Sequence, residues 1–252
     1  MGYQTTKIND ITVRPLNRKM KRNRTVPVPF PDPVSGDNEP FIFLYSAKIG
    51  SGKSVNLSNL LLIYQQYFKK VYFCSANVEV EEESKRKVIK DLAYRDRFRF
   101  SQDRMFDSFN DKILQEILDD MKESKKEPEY DEETDHYLII VDDLSQAFLP
   151  IKSLITKTIL RTRHIKLSWI ITTQRFRNIN TAIRNQITYM VCFLTQNKKE
   201  IESMSEVVDV SPDTFKEMLD FVTADDHGFL YIDSSKNPPR FYKGFSELID
   251  IN

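Results

Sequence analysis

The apolar residues of this chain occur in short continuous runs that are separated by longer and more polar segments. Short runs of this kind are typical of strands that are buried on both faces of a sheet. Five such strands are predicted, at 41–46, 71–76, 138–142, 167–173 and 188–194.

The segments between these strands carry apolar residues at helical spacing. Lys53–Lys70 is predicted to form a helix that ends in paired lysines, which suit the negative end of a helix dipole. Residues 79–122 are predicted to be mostly helical and charged, with a short strand near 98–100. Further helices are predicted at 151–163, 181–186 and 198–221. Strands that alternate with helices predict a parallel sheet with helices on both faces.

The two ends of the chain depart from this alternation. Near the carboxyl end, "GFLYID" and "RFYKGF" flank "SSKNPP" and predict a β-hairpin. The first 40 residues hold a basic stretch and then "VPVPFPDPVSGDNEP", whose prolines disfavour helix and sheet interior. We therefore predict a basic, proline-rich arm at 1–40 and one domain at 41–252, although a tail without a binding role explains the first segment equally well. The basic residues of the arm are Lys7, Arg14, Arg18, Lys19, Lys21, Arg22 and Arg24.

Composition narrows the classes of function. The 37 basic residues equal the 37 acidic ones in number, so the net charge is zero and a protein-wide basic surface is excluded, whereas a local basic patch is not. Cys74 and Cys192 lie inside apolar runs without metal-ligand spacing, which predicts a reducing, intracellular environment. No apolar run approaches the length of a membrane span.

The stretch "AKIGSGKS" joins the first predicted strand to the first predicted helix, as a P-loop requires. Its backbone amides can surround phosphates at the positive end of the helix, and its glycines allow close approach. Lys53 is expected to reach the β- and γ-phosphates, and Ser54 to offer its hydroxyl to Mg²⁺. The P-loop pattern fails only at its first position, where alanine is small and tolerates the bend if φ is negative. The predicted nucleotide-binding residues are Ala47, Lys48, Ile49, Gly50, Ser51, Gly52, Lys53 and Ser54. A glycine-rich turn with a chance lysine is the alternative.

The run "LIIVDD" places two acids at the carboxyl end of a buried strand. Asp142 is expected to hold Mg²⁺, usually through water, and Asp143 to accept a proton from an attacking water. A helix cap is the alternative, but a cap requires only one of the two acids. The adjacent pair therefore indicates hydrolysis rather than transfer to a small substrate.

The strand at 167–173 ends at Gln174, on the edge where ligands collect in open α/β sheets. One extra strand lies between the P-loop strand and the acid strand. That count fits P-loop enzymes in which the fourth strand sits between the first and the third. Gln174 is then expected to stand beside Lys53 and Asp143 and to orient a water. A surface glutamine is the alternative.

Arg163 precedes the same strand, which spans roughly 20 Å at ordinary strand rise. It is therefore expected at the opposite edge of the sheet, where a guanidinium could serve the γ-phosphate of a neighbouring subunit. Arg184 is a rival for that role, and a surface ion pair is the alternative for both arginines.

Four stretches, "AKIGSGKS", "LIIVDD", "RTRHIKLSWIITTQRF" and "IRNQITYMVCF", together resemble the poxvirus-type viral genome-packaging ATPases of the FtsK–HerA superfamily. The resemblance covers residues 41 to about 196. It implies an α/β P-loop NTPase of the RecA/ASCE type, with three α/β/α layers, a mostly parallel sheet of order 5-1-4-3-2 and the carboxyl-terminal hairpin as an addition.

The same resemblance implies an ATPase that uses ATP and Mg²⁺ and threads double-stranded DNA into a preformed capsid. Its implied partners are double-stranded DNA, capsid or portal-vertex proteins, and further copies of itself in a hexameric or pentameric ring. Its implied locations are the host cytoplasm, at the virus factory, and the virion. The basic arm, or Lys198 and Lys199, are candidates for DNA contacts.

Three other functions remain open from the residues alone. A nucleotide or small-molecule kinase also has a P-loop of this type, but the paired acids, Gln174 and the lack of an arginine-rich lid disfavour it. A helicase-like DNA-processing ATPase shares the same motifs. A non-catalytic scaffold with a degenerate P-loop has Ala47 as its only support.

Overall fold

The computed structural model describes residues 4–9, 26–31, 40–64, 67–81, 86–91, 94, 100–132 and 135–250. The strands among these residues are β1 (Gln4–Lys7), β2 (Ile42–Ser46), β3 (Lys70–Ser75), β4 (Val78–Val80), β5 (Lys87–Ile89), β6 (Met105–Phe106), β7 (Tyr137–Asp142), β8 (Leu167–Thr173), β9 (Tyr189–Phe193), β10 (Phe229–Asp233), β11 (Arg240–Lys243) and β12 (Glu247–Asp250). The helices are α1 (Lys53–Ile63), α2 (Asp111–Ser124), α3 (Leu154–Ile159), α4 (Thr162–Ile165), α5 (Thr181–Arg184), α6 (Lys198–Val207) and α7 (Pro212–Val222).

Ten strands form one sheet in the order β1-β12-β11-β10-β9-β2-β8-β7-β3-β6. The pairs from β9 to β6 are parallel, and the pairs from β9 to β1 are antiparallel. The five strands predicted from the sequence take the order β9-β2-β8-β7-β3, which is 5-1-4-3-2 in the predicted numbering. The predicted hairpin corresponds to β10 and β11.

Helices cover both faces of the sheet, so the domain has the three layers that were predicted. Alternate residues of each central strand pack into two separate cores, as the pleat of a strand requires. On β8, for example, Trp169 and Ile171 join the core beneath α2, α3, α6 and α7, whereas Ile170 joins the core beneath α1. Cys74 and Cys192 are buried free thiols.

The first predicted helix was too long. α1 ends at Ile63, and of the paired lysines Lys70 begins β3 and Lys69 directly precedes it, so neither lies at a helix end. Their charges are met by acids from other segments: Lys70 contacts Asp120 at 2.8 Å, and Lys69 contacts Asp135 at 3.0 Å. The helix dipole therefore does not explain this pair.

Two other predicted helical regions were only partly right. The described residues of region 79–122 include the small antiparallel pair β4–β5, a single turn of 3₁₀ helix, β6 and α2, and Tyr94 is helical, whereas residues 82–85, 92–93 and 95–99 lie outside the described residues. The charged residues of this region suggested a solvated helix, but Val78 and Ile89 are buried and pair across the two short strands. Most of the strand predicted near 98–100 lies outside the described residues. Region 151–163 forms α3 and then α4 instead of one helix.

The amino-terminal segment contacts the domain where it is described. β1 pairs with β12 at the edge of the sheet, and Phe30 is buried against Tyr231 and Phe245. Most of the predicted basic arm lies outside the described residues, so its separate role stays a prediction. No helix among the described residues has both the length and the apolar character needed to cross a membrane.

Candidate nucleotide-binding site

The loop between β2 and α1 has the backbone conformation of a phosphate-binding loop. Gly50 and Gly52 have φ angles of 80° and 90°, a region that residues with a Cβ rarely adopt. Alanine tolerates the bend at the first position of the loop if its φ is negative. Ala47 is not among the described non-glycine residues with positive φ, so it meets this condition. It is buried, and its N–H donates to the carbonyl of Thr173 at 3.0 Å.

The start of α1 is left without a side-chain cap. Gly52 is its N-cap residue and supplies no side-chain hydrogen bond, whereas Asn or Ser side chains cap α2, α3, α5, α6 and α7. The first amides of a helix need a partner from outside the helix. At α1 they face a pocket, so an anion can supply that partner.

Three polar side chains on adjacent strands form a row that faces α1. Ser75 on β3 donates to Oδ2 of Asp142 on β7 at 3.3 Å, and Thr172 on β8 donates to Oδ1 at 2.8 Å. The row exists because Asp142 and Thr172 have the same strand parity as Ile140 and Ile170, which pack toward α1. Sequence reasoning found the acid but missed its two hydroxyl partners.

The Thr172 hydroxyl connects the P-loop lysine to both acids. Besides donating to Asp142, its oxygen accepts from the backbone N–H of Asp143 at 2.9 Å and from Nζ of Lys53 at 3.3 Å. A hydroxyl has one proton and two lone pairs, so these three bonds saturate it. The bond to Asp143 holds a residue whose φ is 56°, an uncommon conformation for aspartate.

Lys53 lies between the two acids. Its Nζ is 3.5 Å from Oδ1 of Asp142 and also contacts Oδ2 of Asp143. Lys53 and Asp142 are buried, with side chains 9% and 2% exposed, whereas the Asp143 side chain is 31% exposed. Burial raises the pKa of Asp142, and the neighbouring Asp143 adds to this, while Lys53 and the hydroxyl of Thr172 act against it. Lys53 is shared between the two acids, so a further cation beside Asp142 would offset the remaining cost of burying its charge.

A pocket of about 730 Å³ opens above the loop and these acids. From the predicted loop it is lined by Lys48, Ile49, Gly50, Gly52, Lys53 and Ser54, together with Asp142 and Asp143. Ala47 and Ser51 do not line it. Instead they shape the loop, since both the N–H and the hydroxyl of Ser51 bond to the carbonyl of Lys48.

Several residues that line the pocket were missed from the sequence. Asn56 lies in α1 itself, and the others come from distant segments: Asn77, Asp91, Phe193, Asp226, His227 and Phe229. His227 follows α7, and its Nδ1 lies 3.3 Å from the Ser51 carbonyl. A Cβ on Gly52 would lie 3.4 Å from the His227 ring, which is an ordinary contact distance, so the positive φ of this residue and not the ring favours glycine there. No local motif marks His227, because its role depends on where β10 returns to the sheet.

The remaining predicted residues lie outside the pocket lining. Gln174 follows β8 at the expected edge, but it is exposed and does not line the pocket. The position beside Lys53 and Asp143 that was expected for Gln174 is occupied by Thr172. Arg163 is exposed in α4, before β8, and therefore lies at the opposite edge of the sheet, as expected. Arg184 lies over the ring of Phe176, 5.6 Å from its centre. The catalytic roles of Gln174 and Arg163 stay predictions.

The residues fit ATP with Mg²⁺. The glycines, the uncapped helix start and the buried lysine suit a triphosphate, and the rings of Phe193 and Phe229 offer apolar surface for a base. Ser54 and Asp142 line the same pocket and are the residues that would offer oxygen ligands to a metal. No cluster of three or more His, Cys, Asp or Glu side chains among the described residues could hold a metal. Few protein ligands suit Mg²⁺, which keeps waters and binds substrate phosphates.

Several solved structures share this fold. The genome packaging NTPase B204 from Sulfolobus turreted icosahedral virus 2, in complex with AMPPCP, has a TM-score of 0.57 and 16% identity over 82% of this chain and 98% of that one. The DNA-packaging ATPase B204 from Sulfolobus turreted icosahedral virus has a TM-score of 0.57 and 16% identity over 81% and 97% of the two chains. The pCW3 conjugation coupling protein TcpA, with ATPγS, has a TM-score of 0.51 and 13% identity over 83% and 60%. At these identities the similarity shows the fold alone.

Comparison of the sequence with protein families gives a more specific result. No curated protein matches the chain in a sequence search. The family model of the poxvirus A32 protein matches residues 35–227, which is more than half of the chain and includes the P-loop, both acids and Gln174. The chain therefore belongs to the poxvirus A32 protein family, a family of viral genome-packaging ATPases.

Proposed function

We propose that this protein is an ATP-driven motor that moves viral double-stranded DNA into a capsid. The observation that carries the proposal is the contact set of Lys53, which joins the start of α1 to Asp142, Asp143 and Thr172 inside one pocket. A lysine placed between two acids at the start of an uncapped helix suits phosphate binding and hydrolysis. Family membership and the fold of the packaging NTPase B204 support the same function.

In this proposal each residue of the site has one task. Lys53 exchanges its contacts with the acids for the β- and γ-phosphates of ATP, and the loop amides bind the phosphate oxygens. Release from Lys53 leaves the partly exposed Asp143 able to accept a proton from the attacking water. Thr172 keeps Asp142 and the backbone of Asp143 in place during this exchange, because two of its three bonds do not involve the lysine.

Mg²⁺ would be held by Ser54 and Asp142, and when bound it would neutralise charge on the phosphate oxygens. The raised pKa of Asp142 agrees with this assignment, because burial still disfavours the charged form of this carboxyl beside Lys53, and a metal cation would favour it. Asp142 also keeps its hydrogen bonds to Ser75 and Thr172, which orient its two oxygens.

The motor would work as a ring of identical subunits, either hexameric or pentameric. Arg163 lies at the sheet edge opposite the pocket, so it cannot reach the nucleotide of its own subunit and is placed to act on a neighbour's γ-phosphate. Capsid or portal-vertex proteins would be the docking partners. The host cytoplasm and the virion are the corresponding locations.

The proposal is tested by phosphate release from the full-length protein with ATP and Mg²⁺, with and without linear duplex DNA and without any phosphate acceptor. A DNA motor should release phosphate in the absence of an acceptor and respond to DNA. A kinase would require an added acceptor, and an inert scaffold would release no phosphate under either condition. Each of the last two results would reject the proposal.

A further inference from the structure

Four exposed cations at the carboxyl edge of the sheet are not used by the nucleotide chemistry. Arg175 and Arg177 flank the buried Phe176 directly after β8, and Lys198 and Lys199 open α6. None of the four forms an ion pair with another residue in the part of the chain that the structure describes. We call these four side chains the basic edge.

A buried hydrogen bond joins the two segments of the basic edge. The backbone N–H of Phe176 donates to Oε2 of Glu200 at 2.7 Å. Phe176 and Ile201 belong to the same hydrophobic core, which fixes the start of α6 beside the loop after β8. The Glu200 carboxylate is buried and bonded to this amide, so it is turned away from solvent and leaves the four cations facing outward.

The positions of these cations are not explained by the stability of the fold. Lys198 and Lys199 lie in the first turn of α6, where the helix dipole disfavours positive charge. Arg175 and Arg177 place two more positive charges against that end of the helix. Exposed charges that repel one another and the helix end form a local positive surface, which attracts a negatively charged partner from outside the subunit.

The basic edge is also connected to the nucleotide loop through Thr173. The carbonyl of Thr173 accepts from the N–H of Ala47 at 3.0 Å. The Thr173 hydroxyl accepts from the N–H of Arg175 at 3.0 Å and donates to its carbonyl at 2.8 Å. A shift of the loop when phosphates bind would therefore reach Arg175 through a single residue.

We infer that the basic edge grips the phosphate backbone of duplex DNA, and that its position follows the state of the nucleotide loop. Duplex DNA presents dense negative charge without regard to sequence, and guanidinium groups suit phosphate oxygens. The hydrogen bonds of Thr173 thus connect a proposed DNA contact, Arg175, to the nucleotide loop at Ala47. The inference rests on the proposed function, since it assigns a surface to the DNA that the motor moves.

The test compares three double variants of the full-length protein. R175Q/R177Q and K198Q/K199Q each remove two charges from the basic edge. K125Q/K157Q is the matched control, because it removes two exposed cations, one directly after α2 and one in α3, that form no ion pair with a described residue. Binding to linear duplex DNA of mixed sequence is measured over a series of salt concentrations, beside hydrolysis of ATP without DNA.

Each basic-edge variant should weaken DNA binding. It should also reduce the magnitude of the negative slope of log affinity against log salt by about 2, or about 1 per cation removed. Stimulation of hydrolysis by DNA should fall in both, while hydrolysis without DNA stays at the wild-type rate. The control should match the wild type in all three measurements.

Other results separate this inference from the proposed function. If the wild type binds DNA and both basic-edge variants keep its salt slope, the inference is wrong and the motor function stands. If those variants change the oligomeric state in sedimentation and leave the slope unaltered, the basic edge is a subunit contact. If the wild type itself neither binds DNA nor responds to it, the proposed function fails and the inference fails with it.

Discussion

Replacing Thr172 by valine removes a hydroxyl from the centre of the site and leaves the shape of the side chain almost unchanged. The lost bond to Asp142 is one to a buried charged group and is worth about 1.5–3 kcal/mol. The N–H of Asp143 loses its acceptor, which costs about 1 kcal/mol at this partly exposed position. Lys53 keeps both acids as partners, so its loss is small.

The new methyl group of valine returns about 0.8 kcal/mol, which leaves a net loss of about 2–3 kcal/mol in the free energy of unfolding. Thr172→Ser keeps the three hydrogen bonds and loses one buried methyl group, at a cost of about 1 kcal/mol. The rate of hydrolysis should depend on the hydroxyl group. Thr172→Ser should keep a kcat near that of the wild type, whereas Thr172→Val should lower kcat at least ten-fold, which is about 1.4 kcal/mol in the barrier.

Urea unfolding without nucleotide and phosphate release at saturating ATP measure these two quantities. Valine should be less stable and slower than serine in the same pair of assays. If Thr172→Val equals or exceeds Thr172→Ser in both unfolding free energy and kcat, the hydroxyl of Thr172 does not organise the acids, and this description of the site is wrong.

The remaining predictions concern three other residues of the site. Lys53→Ala should abolish phosphate release and the stabilisation of the fold by a slowly hydrolysed ATP analogue; unchanged turnover would support the scaffold alternative. Asp142→Asn should abolish hydrolysis yet raise the midpoint of thermal unfolding at pH 7 without metal, because burial raises the pKa of this carboxyl and its charged form therefore destabilises the fold. That gain should shrink as the pH falls toward about 3.9, since protonation removes the cost in the wild type, and a gain that grows instead would contradict the sign of the shift. Gln174→Ala should lower kcat while leaving the affinity for the ATP analogue unchanged, and a loss of affinity with normal kcat would exclude a role in orienting water.

Much of the central sheet could be predicted from the sequence, because strands buried on both faces must be nearly continuous apolar runs. For this reason both ends of β8 were predicted correctly. The extra strand between the P-loop strand and the acid strand indicated the order of the sheet. Pairing partners far apart in the chain leave no such local mark. β1 and β12, which lie at opposite ends of the sequence, were therefore missed.

The candidate site divides in the same way. The P-loop and the paired acids were found because their chemistry depends on residues that are adjacent in sequence. Thr172 was missed because threonine inside an apolar strand is an ordinary strand residue, although its parity with Ile170 places it facing α1. His227 was missed because its contact with the P-loop depends on the return of the chain after α7.

The central claim is that ATP binds at the start of α1, with Asp142 and Asp143 controlling its metal and its attacking water. A crystal structure with Mg²⁺ and a slowly hydrolysed ATP analogue tests this most directly. The account predicts the γ-phosphate within hydrogen-bonding distance of Lys53, the metal beside Ser54 and Asp142, and Asp143 released from the lysine. A nucleotide bound elsewhere, or Lys53 still paired with both acids beside a bound analogue, would contradict it.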